Sequence, residues 1–159
     1  KKLCDTLCSM WQKSTKTLNS KIAKLWYNIT KGFGEFFKER SADLEINPAE
    51  AMFLSKIYYN DGISQREIAH SLIVSEANIT KTFKKLEGKE LVYKTVDEDN
   101  NARRNLHLTE KGEKTFERCI EIFGEFDIIT FEDYDSEEKE RMEEQLKEIS
   151  DKALNIIKK

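Results

Sequence analysis

Residues 64–112 read SQREIAHSLIVSEANITKTFKKLEGKELVYKTVDEDNNARRNLHLTEKG, and the order of signals within that run decides the fold. It opens on Ser64-Gln65-Arg66-Glu67, a capping box in which the Ser64 hydroxyl can accept from the Glu67 amide while the Glu67 carboxylate accepts from the Ser64 amide. A helix therefore starts here. Ile68, Ala69 and Leu72 give it a short apolar face, and Ser75 offers a second N-cap three residues beyond Leu72. Two helices joined so tightly must cross steeply. In the second helix Ile79, Phe83 and Leu86 recur at i, i+4 and i+7, which puts Ala77, Lys81, Lys84 and Gly88 on the opposite face, flanked by Asn78, Thr80 and Lys85.

The segments that follow, Leu91 to Val96 and Arg104 to Leu108, alternate as strands around a polar turn from Asp97 to Arg103. Thr109-Glu110-Lys111-Gly112 then restarts a helix with Thr109 as its cap. Two capped helices, a hairpin and a return to helix make a winged helix-turn-helix, mostly α with a small β-hairpin wing. The outer face of the second helix suits a DNA major groove: small residues allow close approach, Asn and Thr can read base edges, and lysines can neutralise phosphates. A solvated helix face would have the same composition. The hairpin directly behind it favours the groove.

The run is similar to the MarR (multiple antibiotic resistance regulator) family of transcriptional regulators, and the similarity extends over about residues 20–159. It is carried by the Ile46-Asn47-Pro48-Ala49-Glu50 helix start, the link from Leu86-Glu87 to Leu91-Val92, and the Leu108-Thr109-Glu110-Lys111-Gly112 exit. The resemblance implies a homodimer formed by N- and C-terminal helices, presenting two recognition helices and two wings to double-stranded DNA. Such a two-fold dimer matches an inverted-repeat operator with half-sites roughly 10 base pairs apart. On this reading Ser64, Gln65 and Arg66 anchor the first helix on the backbone, Ser75, Ala77, Asn78, Thr80, Lys81, Lys84 and Lys85 meet the groove, and Arg103 and Arg104 hold the wing. Ser64 and Ser75 can equally act as caps alone.

The chain departs from the family pattern at two points. Ile73 occupies the turn between the short helices, where glycine is frequent; a β-branched residue resists positive φ, so either the turn avoids the left-handed region or it carries strain. In the wing Asn100-Asn101-Ala102 stands where an Asp-x-Arg pattern is common, and the arginines come just after it.

Outside the run, 159 residues with 38% hydrophobic and 36% charged side chains suit one folded domain, here divided into an N-terminal dimerisation helix region (1–46), the winged helix-turn-helix (47–108) and C-terminal dimerisation helices (109–159). One proline, Pro48, and six glycines leave no linker or internal repeat. No apolar run is long enough for a membrane span, and the Lys1-Lys2-Leu3 start lacks a signal-peptide pattern, which points to the cytoplasm. The net charge of −3 averages unlike parts: residues 1–46 sum to +4, 47–63 to −1, 64–109 to +1 and 110–159 to −7. A positive local field at the recognition helix is compatible with that total.

Three apolar stripes ask for cover. Phe116, Cys119, Ile120 and Phe123 form one; Met142, Leu146, Ile149, Ala153 and Ile156 form another; Leu18, Ile22, Leu25, Trp26, Ile29, Phe33 and Phe37 form the third, extended by Leu3, Leu7 and Trp11. A single winged-helix core of this size is too small for all of them, which again favours two chains. The family resemblance also implies a crevice for a small aromatic or phenolic ligand, with Trp26, Tyr27, Phe33, Phe53, Tyr58 and Tyr59 available to line it; core packing accounts for such stripes as well. The function implied is a repressor released by that ligand.

Alternatives rest on fewer residues. Cys4 and Cys8 lie i, i+4 on one helical face and could sense oxidants by pairing between chains, because adjacent turns of one helix meet poorly as a disulfide. Cys119 sits on an apolar stripe and reads as core. The two histidines, His70 and His107, are far apart and lack metal-ligand spacing, so no metal or cofactor is expected. No phosphate-binding loop or paired nucleophile and base suggests an enzyme, and Glu137-Glu138 and Glu143-Glu144 read as solvated helix faces. A winged helix that binds protein instead of DNA would expose apolar residues where this chain has lysines.

Overall fold

The computed structural model describes residues 21–97 and 104–157 of the chain. Five of its helices start where a short polar side chain can take up orphan amides. Asn47 caps α2 (Pro48–Tyr58) in a full capping box, its Oδ1 accepting from the Glu50 amide at 3.0 Å while Glu50 Oε2 accepts from the Asn47 amide at 3.1 Å. Ser64 and Glu67 form the same box at α3 (Gln65–Leu72), Ser75 accepts from Asn78 N at α4 (Glu76–Gly88), and Thr109 accepts from Gly112 N at α5 (Glu110–Thr130). Before them runs α1 (Lys21–Arg40), and after them α6 (Ser136–Ile157), where Asp135 Oδ1 accepts from Glu138 N at 2.9 Å and Glu138 Oε2 accepts from Asp135 N at 3.0 Å.

The wing is an antiparallel pair, β1 (Val92–Val96) and β2 (Arg104–Leu108), in a register that sets Val92 opposite Leu108 and Tyr93 opposite His107. The loop ahead of α3 adds to its edge: Gly62 N donates to Leu106 O at 2.9 Å, Leu106 N donates to Ile63 O at 3.1 Å, and Ser64 bridges Asn105. The architecture is the mostly helical winged helix-turn-helix read from the sequence, with the wing strands within a residue of their expected bounds.

Ile73 resolves its alternative toward strain. It sits at φ 55°, ψ 46°, in the left-handed region, as the C-cap of α3. That conformation costs a non-glycine residue roughly 1–2 kcal/mol, offset here by the Val74 amide bonding back to Ala69 O at 3.0 Å and by the burial of Ile68 and Ala69 on one side and Ile79 on the other.

One core unites α1 to α5 and the wing. Phe37 of α1, Phe53, Leu54 and Ile57 of α2, Ile68 of α3, Ile79, Phe83 and Leu86 of α4, Val92, Leu106 and Phe116, Cys119 and Ile122 of α5 are all 2% exposed or less. The α5 stripe is thus corrected in part: Phe116 and Cys119 are covered by their own chain, with Ile122 in place of Ile120, because α5 packs against α1 and α2. Phe123 joins the core edge through a 5.5 Å stack on Phe37. By contrast Ile22, Leu25 and Ile29 of α1 and Leu146, Ile149 and Ile156 of α6 are exposed. Leu3, Leu7, Trp11 and Leu18 lie outside the described residues. Among the described residues no helix is long and apolar enough to cross a membrane.

The junction of wing and α5 is the tightest point. Thr109 N donates to Leu91 O at 3.1 Å and its hydroxyl to Glu90 O at 2.6 Å, which brings α5's first turn so close that a Cβ on Gly112 would lie 1.9 Å from Leu91 O. Backbone on both sides leaves no flexible atom to yield. Gly112→Ala should therefore lower stability by about 1–3 kcal/mol, measured as a fall in the urea midpoint.

Candidate nucleic-acid interface

The outward face of α4 is set by what its other face buries. With Ile79, Phe83 and Leu86 in the core, helical geometry turns Ala77, Asn78, Lys81 and Lys84 to solvent, and all four are exposed. The helix is locked to α3 by a side-chain bond, Thr80 Oγ1 donating to Gln65 Oε1 at 3.2 Å; the same hydroxyl lies 2.9 Å from Glu76 O. Gln65 and Thr80 are thereby half-buried, and each serves the angle between the two helices.

Between α3, α4 and the wing lies an open concavity of about 630 Å³ lined by Ser64, Gln65, Arg66, Glu67, Glu76, Thr80, Phe83, Lys84, Lys94 and Arg104. Six residues assigned to DNA from the sequence meet there: Ser64, Gln65, Arg66, Thr80, Lys84 and Arg104. Four of the ten lining side chains are cationic against two carboxylates. One of those carboxylates, Glu67, is engaged by the amide and hydroxyl of Ser64 at 2.9 and 2.6 Å. Ser64 and Ser75 both act as caps. Arg103 lies outside the described residues.

Lys94 is a member of this cleft that the sequence reading missed. Its ammonium stands 5.2 Å from the centre of the Phe83 ring. The period of two along β1 was the available signal, since it places Lys94 on the same face as buried Val92, where a lysine must either be paired or reach a polar surface.

Lys85 is a correction. Its ammonium turns back to Glu50, whose carboxylate is almost wholly buried at the start of α2, so this lysine is spent on an internal ion pair. The reason is angular: successive residues of a helix are about 100° apart, so Lys84 and Lys85 flank the outward-facing Lys81 on opposite sides. The Lys84 side borders the cleft, and the Lys85 side meets the start of α2.

The six aromatics read as crevice residues do not come together. Phe53 is core, at 1% exposure. Trp26 and Tyr27 lie on the exposed half of α1, and Tyr58 and Tyr59 gather around Phe116 with ring centres 5.0 and 6.0 Å away. Only Phe33 among them borders an apolar cavity of about 370 Å³ between α1, α2 and α5, shared with Ile29, Thr30, Pro48, Met52, Phe123, Phe126 and Asp127.

Cys119 is buried, and burial pushes its thiol up to about 11, which leaves little thiolate at neutral pH. Cys4 and Cys8 lie outside the described residues. His70 is exposed on α3, while His107 is bonded to Asp61 and Thr95. Among the described residues no group of three or more His, Cys, Asp or Glu is arranged to hold a metal ion.

Comparison with known proteins gives this geometry a context. Residues 46–103 match the MarR family. The chain is 32% identical over 99 residues to an uncharacterized HTH-type transcriptional regulator, YybA, of Bacillus subtilis (strain 168), covering 62% of this chain and 65% of that protein. The match therefore spans slightly less than two thirds of the relative's length. Among solved structures, a MarR protein from Peptoclostridium difficile DA00132 superposes with a TM-score of 0.80 at 27% identity, over 89% of this chain and 93% of that one. The S. aureus MepR–DNA complex is similar in fold, with a TM-score of 0.73 at 24% identity over 84% and 96% of the two chains.

The role of Lys85 has a measurable consequence. Removing one partner of a buried pair leaves an uncompensated carboxylate, but Lys85 is half-exposed and water screens the loss. Lys85→Ala should destabilise the protein by about 1–2 kcal/mol in urea unfolding, and adding Glu50→Gln should recover part of it by removing the buried charge.

Proposed function

We propose that the chain, which matches the MarR family over residues 46–103, is a DNA-binding transcriptional regulator of that family, acting as a homodimeric repressor on an inverted-repeat operator. The observation that carries the reading is the basic cleft in which Lys84 of α4, Arg66 of α3 and Lys94 and Arg104 of the wing converge beside the exposed face of Ala77, Asn78 and Lys81. Cations on three elements around one open concavity suit an extended chain of phosphates, and the small and polar residues beside them leave room for base edges. MepR, similar in fold, is known in complex with DNA.

Two chains together would satisfy the apolar surface that one leaves open. Ile22 and Leu25 of α1, Ile128 of α5 and Ile156 of α6 are 59–76% exposed, far more than a solvated monomer surface gains from. N- and C-terminal helices of two copies packed together would bury them and set two α4 helices in register with successive major grooves.

The releasing ligand is a small neutral phenol or similar aromatic. The cavity between α1, α2 and α5 is within the lower range of small-molecule sites, its walls are chiefly apolar and aromatic, and its single charge, Asp127, would accept from a phenolic hydroxyl while repelling a carboxylate.

Fluorescence anisotropy of the purified chain against duplex DNA from upstream of its own gene, at several salt concentrations with unrelated duplex as control, tests the reading. Binding tighter than the control and steeply salt-dependent is expected. Lys81→Ala with Lys84→Ala should weaken that binding and lower the log–log salt slope by about one unit for each phosphate left without its lysine, with the dimer seen in sedimentation intact. Unchanged affinity at fixed salt in the double variant would refute α4 as the recognition helix.

A further inference from the structure

A two-stranded hairpin has little stability or fixed direction of its own, so the direction of the wing must come from contacts with the body. One face of the hairpin has them: Val92, Leu106 and Leu108 enter the core. The other face carries Tyr93, Thr95 and His107, and here the structure holds a second attachment. His107 Nδ1 lies 2.8 Å from Asp61 Oδ1 in the loop between α2 and α3, and Nε2 lies 3.0 Å from Thr95 Oγ1 on β1. The ring stacks on Tyr93 with centres 5.0 Å apart and planes at 25°.

Because a carboxylate has no hydrogen to give, Nδ1 carries one and donates to Asp61; Nε2 then accepts from the Thr95 hydroxyl. Protonation at Nε2 would reverse only the Thr95 bond, since that hydroxyl can also accept. The Asp61 tether survives either form. The loop that presents Asp61 is pressed against the same strand through the bonds of Gly62 and Ile63 to Leu106, and it turns there because Gly62 adopts φ 78°, its Cα side lying against the imidazole edge.

We infer that His107 is a positioning residue for DNA binding: through Asp61 it fixes the angle at which the wing leaves the body, and so the distance of Arg104 and Lys94 from α4. This rests on the reading that α4 and the wing bind DNA. The His107 side chain is only 17% exposed and is not itself placed to touch DNA. Held from both faces, the hairpin cannot rock toward or away from the cleft without breaking either core packing or the tether.

The experiment compares His107→Phe in the whole 159-residue chain, which keeps the stack on Tyr93 but loses both bonds, with Asp61→Ala and the conservative Asp61→Asn, which retains an acceptor. Affinity for a mixed-sequence duplex at low salt is read by anisotropy, with thermal unfolding beside it. His107→Phe and Asp61→Ala should each bind roughly 3- to 10-fold more weakly, Asp61→Asn should keep wild-type affinity, and in a background carrying both Lys94→Ala and Arg104→Ala the first two should have no further effect, because the interactions they position are already gone. Wild-type affinity in His107→Phe and Asp61→Ala, a loss shared equally by Asp61→Asn, or a loss undiminished in the background lacking both Lys94 and Arg104 would overturn the tether. A wild-type chain that bound no duplex would refute the DNA-binding reading itself, and this inference with it.

Discussion

The burial of Ile79, Phe83 and Leu86 is the constraint on which the rest of the structure depends. A helix has only one rotational phase that satisfies three buried side chains along its length, so fixing them fixes every other residue of α4. The partners in that burial come from different levels of the chain: α2 and α3 beneath and the start of β1 beside. Phe83 has a second role as the floor under Lys94, which makes the same ring both a core anchor and part of the cleft wall. Site and core are therefore continuous.

Around that anchor, local hydrogen bonds and distant packing divide the work. Caps at Asn47, Ser64, Ser75 and Thr109 decide where helices begin, and they do so through atoms three residues apart. Packing decides the angles between helices, even where a single residue must adopt an unfavourable backbone conformation. Ile73 is such a residue: the turn from α3 to α4 is short, and the left-handed conformation that closes it is imposed from both sides by buried neighbours.

This division explains what could be read in the sequence. The order of helices and strands was legible because caps and periodicity are local signals; Ser64 to Leu86 shows this throughout. The side of α4 that faces outward was also legible, since periodicity alone separates Lys81 and Lys84 from Phe83. The role of Lys85 was not, because it depends on Glu50, thirty-five positions away, being buried at the start of another helix. Phe53 and Phe33 both look like candidates for a crevice, yet one is core and the other borders a cavity, and only the packing of α5 on α1 and α2 distinguishes them. Lys94 lay in plain view on an alternating strand, but its meaning depended on which helix that strand would cover.

The first turn of α2 joins two regions that are otherwise separate. Pro48 and Met52 border the apolar cavity beside α1 and α5, and Glu50, on the other side of the same turn, holds Lys85 of α4. A rigid turn of helix gripped in this way behaves as a lever with a short arm on each side. A shift of that turn must draw the Lys85 side chain with it or strand a buried carboxylate without its cation. The turn of helix that walls the cavity is thus also the one that α4 grips through a single side chain.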